Sequence, residues 1–223
     1  MKPIIVKIDS SDLITNLIRT VQHFYPLGFE LTNDQYDGFI ELRDIIEEKL
    51  VQARENKLPT EIGKLISDIE KIYPGIIIHL DSYSGSPSYS ISIPISSQDF
   101  ESLDRFLTFT LKISLLSNYY TYFFEERVKH KNILPLNGSD PYVSTVISQE
   151  AQKEDKERKM AMQIESIFRD CFPSYQFVNH HLLFTIKTNG VPFGQDYADR
   201  KRNYLLYDFL FESGMYIDYS VLK

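Results

Sequence analysis

The sequence predicts an α+β fold in which helices cover a mainly antiparallel sheet, and two features carry that expectation. The first is a unit that occurs three times, an apolar-spaced helical run stopping at an aromatic-Pro pair. It appears in Leu17…Val21…Phe24-Tyr25-Pro26, in Leu65…Ile69…Ile72-Tyr73-Pro74 and in Ile164…Phe168…Cys171-Phe172-Pro173. In each copy apolar residues lie eight, four and one positions before the aromatic, the spacing of one helix face. The proline ends the helix and pushes its predecessor toward extended geometry. The second feature is the alternation of Tyr89, Ile91, Ile93 and Ile95 with Ser88, Ser90, Ser92 and Pro94, the pattern of a strand with one buried face. The apolar run Ile76 to Leu80 precedes it across a Ser84-Gly85-Ser86-Pro87 turn cluster, so the pairing is a local antiparallel hairpin.

The elements follow in order. Ile4 to Ile8 reads as a strand, and Ser10, Ser11 and Asp12 offer caps to a helix reaching Tyr25. Gly28 to Leu31 is short and extended. Thr32-Asn33-Asp34-Gln35 has capping-box form and opens a helix carrying Phe39, Leu42, Ile45, Ile46 and Leu50 to about Asn56. Pro59-Thr60-Glu61 starts the next helix. After the hairpin, whose Pro94 marks an edge or exit, Ser96, Ser97 and Asp99 offer caps for a helix through Phe100, Leu103, Phe106, Leu107 and Leu111. The aromatic stretch Tyr119 to Phe124 reads as a strand. Pro135, Asn137-Gly138 and Asp140-Pro141 mark 129–149 as a linker or long loop. Mixed charges over Gln149 to Lys159 give a solvated helix face leading to the third aromatic-Pro. Tyr175 to Val178 and Leu182 to Lys187 then read as a hairpin around Asn179-His180-His181. Tyr197 to Phe211 reads as a helix, Gly214 as its C′ glycine, and Met215 to Tyr219 as a last strand. The chain so divides into an N-terminal α+β region (1–128), the linker (129–149) and a C-terminal unit (150–223). A helix-hairpin-helix-strand order is shared by about 60–128 and 150–223.

Composition narrows the function classes. With 31 acidic against 24 basic residues the net charge is −7, so the chain has no general attraction for nucleic acid or an anionic membrane. No stretch approaches the roughly 18 apolar residues of a membrane helix. The N-terminal apolar run is short and has no small-residue cleavage site, so a cytoplasmic location is the expectation. Cys171 is the only cysteine, which excludes an intrachain disulfide and a Cys-based zinc site. On an apolar helix face it reads as a small buried thiol. The chain contains no G-x-S-x-G elbow, no G-x-G-x-x-G and no phosphate-binding P-loop. No catalytic residue, metal or cofactor is therefore assigned.

Two sets of residues remain as candidates. His79 and Asp81, two apart on a strand, share a face and could present an oriented imidazole or two ligands. His180 and His181 sit at a turn, but neighbours on a regular strand face opposite ways and cannot easily hold one metal. Arg200-Lys201-Arg202 fits the charged side of an amphipathic helix. The second set is the acidic, tyrosine-bearing stretch of Tyr119, Tyr120, Tyr122, Glu125 and Glu126. Tyrosine suits protein contact, because a rigid ring gives area at low entropy cost, and the chain has 15 Tyr and no Trp. The expected function is a soluble non-enzymatic protein–protein interaction module, of the inhibitor or immunity type, acting on a basic partner. Bacterial immunity proteins and antitoxins that neutralise basic nucleases are small and acidic in the same way, a likeness of composition. The alternative is a small-ligand-binding protein or enzyme with a site near His79, Asp81 and the 188–200 loop.

Overall fold

The computed structural model describes residues 10–28, 35–131, 143–148, 155–195 and 203–213. Four long helices follow the apolar stripes: α1 (Ser10–Phe24), α2 (Asp37–Arg54), α3 (Thr60–Ile72) and α4 (Asp155–Cys171). The helix–aromatic–Pro spacing marks burial well. Leu17, Val21, Leu65, Ile69, Ile164 and Phe168, the residues eight and four before each aromatic, are all fully buried. Tyr25 is fully buried, and Tyr73 and Phe172 are partly buried against the core. The residue one before the aromatic is less uniform, since Phe24 and Cys171 are buried but Ile72 is exposed. The second and third units end alike. The Tyr73 carbonyl accepts from Ile76 N and the Phe172 carbonyl from Tyr175 N, each at 3.1 Å, closing a turn around the proline. Gly75 supplies the positive φ (81°) that a type II turn needs at its third residue.

The sheet has strand order β1-β2-β3-β4-β5, all antiparallel: β1 (His79–Asp81), β2 (Ser88–Asp99), β3 (Leu103–Ser114), β4 (Tyr119–His130) and β5 (Val143–Ser148). A short β6 (Gln176–Phe177) pairs in parallel with the start of β4, on the side that β5 takes further along. The fold is α+β with a mainly antiparallel sheet, as expected. α3 and α4 lie antiparallel on one sheet face, sealed by Leu107, Phe109, Leu111 and Ile113 of β3 and by Tyr120, Tyr122 and Phe124 of β4. The opposite face carries α1, α2, α5 (His180–Thr185) and α6 (Leu206–Leu210) around Tyr119, Phe123, Phe209 and Phe211. A two-stranded ribbon, β7 (Lys187–Thr188) with β8 (Tyr204–Leu205), joins α5 to α6.

Several expectations are corrected. The helix expected through Phe100 to Leu111 is β3: Leu107, Phe109, Leu111 and Ile113 alternate as well as the helix-spaced set does, and β2 and β4 bond both edges of the strand. The hairpin expected around Asn179 is a helix start. The Asn179 side chain accepts from His181 N at 2.8 Å as an N-cap, and Leu183 and Phe184 of α5 point into the core. Of the helix expected over Tyr197 to Phe211, the described part is strand at Tyr204–Leu205 and helix only from Leu206. Expected linker residues 143–148 form β5, and Lys129 and His130 belong to β4. The helix-hairpin-helix-strand order is thus not shared by the two halves. A strand replaces a helix in one, and a helix replaces a strand in the other. The expected strands Ile4 to Ile8 and Met215 to Tyr219, the Thr32-Asn33-Asp34 cap and the Gly214 stop lie outside the described residues. Pro94 does sit at an edge: β1 covers β2 only over Ser90–Ser92, and a bulge follows at Pro94/Ser96.

Candidate functional site

The two faces of the central strands differ in chemistry. While β3 turns Leu107, Phe109, Leu111 and Ile113 to the α3/α4 side, its even positions Thr108, Thr110, Lys112 and Ser114 point the other way. Directly opposed residues share a face, so the register builds two rows across the sheet. One runs Asp81, Ser90, Lys112, Thr121 and the next His79, Ser92, Thr110, Phe123. Ser88 opposes Ser114 beyond them. This serine- and threonine-lined face is covered by α2 and by the end of α6. The Ser88 hydroxyl donates to the Phe211 carbonyl at 2.8 Å and that of Ser114 to the Leu210 carbonyl at 3.1 Å, satisfying carbonyls that the helix end leaves open.

Two lysines are buried there. Lys49, 2 % exposed, occupies the inward stripe of α2 between Ile46 and Ala53. It donates to the Ser86 carbonyl at 2.7 Å and the Ser88 carbonyl at 3.1 Å, and lies 5.9 Å from the Tyr89 ring centre. Lys112, 4 % exposed, pairs with Glu212. Burial lowers the Lys49 ammonium to about 8; Asp81 and Glu212 oppose the shift, and the charge of Lys112 adds to it. The turn joining β1 to β2 is clamped beside Lys49. Asp81 Oδ1 accepts from Ser84 N at 3.0 Å, the Tyr83 hydroxyl donates to the Ala53 carbonyl at 2.9 Å, and Gly85 approaches Phe193.

Part of the first candidate set therefore converges. Asp81 and the described portion of the 188–200 loop meet at the turn that Lys49 holds, and His79 lies on the same sheet face. Both His79 and Asp81 are exposed. His180 and His181 do not join them. His180 rests on Phe123, at the far end of the row that starts at His79, about three strand spacings or ~14 Å away. Burial, then the charge of His181, lowers His180 to about 4, so it is neutral at pH 7. Among the described residues no three His, Cys, Asp or Glu side chains are gathered as a metal would need.

The second set forms no surface. Tyr119, Tyr120, Tyr122 and Glu125 are buried, because β4 is covered on both faces. Tyr120 and Tyr122 donate to the two oxygens of Glu165 at 2.9 and 3.1 Å, tying α4 to the sheet, and burial raises Tyr120 to about 12. Glu125 pairs with Arg127, and Glu126 with Arg105 through two 2.8 Å bonds. The acidic, tyrosine-bearing surface lies instead along α2. Asp37, Glu41, Asp44, Glu47, Glu48 and Glu55, six exposed carboxylates, stand against the three exposed cations Arg43, Arg54 and Lys57. Ile40, Val51 and Leu58 are exposed on the same stretch, and Tyr83, 61 % exposed, is anchored beside it through Ala53.

A cleft of about 420 Å³ opens at the end of the α3/α4 layer, lined by Pro59, Ile62, Tyr89, Leu115, Phe172 and Tyr175 among others. Cys171 borders it, its sulfur 3.4 Å from the Lys64 ammonium. No helix among the described residues is long and apolar enough to cross a membrane. The chain matches no family model, no curated protein and no solved structure.

Proposed function

We propose that the protein is a non-enzymatic interaction module that binds a basic protein through the solvent face of α2. The observation that carries this reading is the coincidence of charge and apolar anchors on one helix and the turn that follows it. Residues 37–57 hold six exposed carboxylates against three exposed cations, interleaved with exposed Ile40 and Val51 and bordered by Leu58 and Tyr83. A basic partner matches that field, which speeds encounter more than it deepens affinity. Tyr83 is the central anchor: its hydroxyl is already held by Ala53, so little ring entropy is lost on contact. Inhibitor and immunity proteins are the functional type this chemistry suits best.

Affinity capture from the native organism, with wild-type and altered baits, tests it. A basic protein should be retained by the wild type, lost with Asp44→Lys/Glu48→Lys and with Tyr83→Ser, and kept by a bait altered on the β2–β3 turn (Glu101→Lys). Its association rate should fall as salt rises, while dissociation changes little. If no retained protein depends on the α2 face, the proposal fails.

A further inference from the structure

We infer that the polar sheet face beneath α2 is a binding site for a small oxyanion, a phosphate or sulfate group, held by Lys112, Lys49 and Thr121. This goes beyond the α2 surface and does not depend on it. Donors outnumber their acceptors on this face. Lys49 has three N–H groups and uses two, on the Ser86 and Ser88 carbonyls. Lys112 also has three, and Glu212 is its partner among the described residues. Thr121 stands directly across from Lys112, with Thr110 two residues back on the same face. The hydroxyls of both threonines are buried and have no hydrogen-bond partner among the described residues.

The charges run the same way. Two ammonium groups are buried here, and the carboxylate in contact with one of them, the half-buried Glu212, pairs with Lys112. Asp81, next along the row from Ser90, is exposed and its Oδ1 is already engaged by the Ser84 amide. Buried donors without acceptors and a buried cation in excess are each costly. One ligand removes both costs, a compact anion whose several oxygens accept from ammonium and hydroxyl groups together. A metal cation fails on charge, and a neutral apolar ligand would leave the donors unmet. The turn of residues 82–87, held by Lys49 through the Ser86 carbonyl, borders the row at its Ser90 end, with Tyr83 and Gly85 exposed.

The purified protein alone tests this, apart from any protein partner. Calorimetric and thermal-shift titrations would use inorganic phosphate, sulfate and glycerol 3-phosphate against sodium chloride at matched ionic strength. A saturable rise in melting temperature with at least one of the three, beyond chloride, is expected. Tighter binding of glycerol 3-phosphate points to a phosphorylated small molecule, and preference for phosphate or sulfate to the free ion. Affinity should fall at least tenfold in Lys112→Met. Thr121→Val keeps the side chain's shape and removes an unpartnered hydroxyl, so it should fold at least as stably as wild type without ligand, yet bind less tightly. No saturable response to any of the three anions would overturn the inference. So would a response that survives unchanged in Thr121→Val and Lys112→Met.

Discussion

Gly38→Ala and Gly63→Ala should move stability in opposite directions, although both glycines sit inside helices. Helix propensity alone favours both changes, because alanine is better than glycine in a helix by about 1 kcal/mol. The surroundings separate them. A Cβ on Gly63 of α3 meets nothing within 4 Å. A Cβ on Gly38 of α2 would stand 1.7 Å from the His23 carbonyl oxygen, 2.8 Å from its carbon and 3.1 Å from Phe24 Cα. All three atoms are backbone, so no side chain can swing away. Since ordinary contact is about 3.5 Å, α1 and α2 must part by roughly 1.5 Å or more, loosening the cluster that holds Leu17, Val21, Leu42 and Ile46. Overpacking of this kind costs about 3 kcal/mol; less the helix gain of about 1, the net loss is about 2 kcal/mol. For a chain of this size that lowers the melting temperature by about 4–8 °C. Gly63→Ala should raise it by about 2–4 °C. Urea unfolding at constant m-value measures both. A Gly38→Ala variant as stable as wild type would refute the close approach of α2 to the end of α1.

Phe168→Ala should cost about 3–5 kcal/mol, because the ring is fully buried between Tyr120 and Phe172, whereas Phe172→Ala, at a partly buried site, should cost clearly less. Equal losses in urea titration would mean that burial does not set the difference. Tyr25→Phe should lose about 1–2 kcal/mol by leaving the buried Phe209 carbonyl without its 3.0 Å donor, and an unchanged midpoint would show that bond to be dispensable. Lys49 makes stability pH-dependent. Its ammonium titrates near 8 in the fold and near 10.5 unfolded, so between those values the unfolded chain holds the extra proton and stability rises with pH. Burial drives the shift, Asp81 and Glu212 oppose it, and the charge of Lys112 adds to it. The stability of wild type minus that of Lys49→Met should grow from pH 8 to 10.5 by at most about 3 kcal/mol, and a flat difference would reject the lowered value.

Helices α1 to α4 are legible in the sequence because a 3.6-residue stripe leaves little room for another reading. Leu17/Val21, Leu65/Ile69 and Ile164/Phe168 are apolar at helix spacing and buried without exception. β3 is ambiguous because Phe100, Leu103, Phe106, Leu107 and Leu111 satisfy helix spacing while Leu107, Phe109, Leu111 and Ile113 satisfy strand alternation. Nothing local decides between them; the bonding edges of β2 and β4 do. α5 is lost to the opposite error, since Asn179 serves turns and helix caps equally well. The aromatic run Tyr119 to Phe124 looks like a contact surface only while one face of its strand is assumed to be free. A continuous apolar run more often marks a strand covered on both sides, and that is how β4 sits. Lys49 had a readable signal that the composition hides: a lysine at the inward position between Ile46 and Ala53, where its helix stripe calls for an aliphatic residue. Lys112 had none, because a lysine within Thr108, Thr110 and Ser114 looks like the solvent side of a strand.

That last ambiguity bears on function. A strand face of serine, threonine and lysine is the usual sign of exposure, yet here Ser88, Ser90, Thr110, Lys112, Ser114 and Thr121 are all buried. An apolar face would have sealed against α2 and α6 without leaving any donor to satisfy, and replacing buried polar groups by apolar ones of similar shape is often neutral or stabilising. Stability therefore does not account for the choice. Ser88 and Ser114 do have a structural use, since they close the carbonyls at the end of α6, and Lys49 likewise fixes the turn before β2. Thr110 and Thr121 close no helix end and fix no turn, and Lys112 has its ion pair with Glu212, just past α6. Lys112 and Thr121 stand directly opposite on adjacent strands, with Thr110 on the same face. A group of acceptors held in one small anion would meet that geometry, while the acidic face of α2 would meet the basic partner proposed for it. The helix thus separates two electrostatic surfaces, negative toward solvent and positive toward the sheet, and the inward position of Lys49 on an otherwise acidic helix is what makes the separation possible.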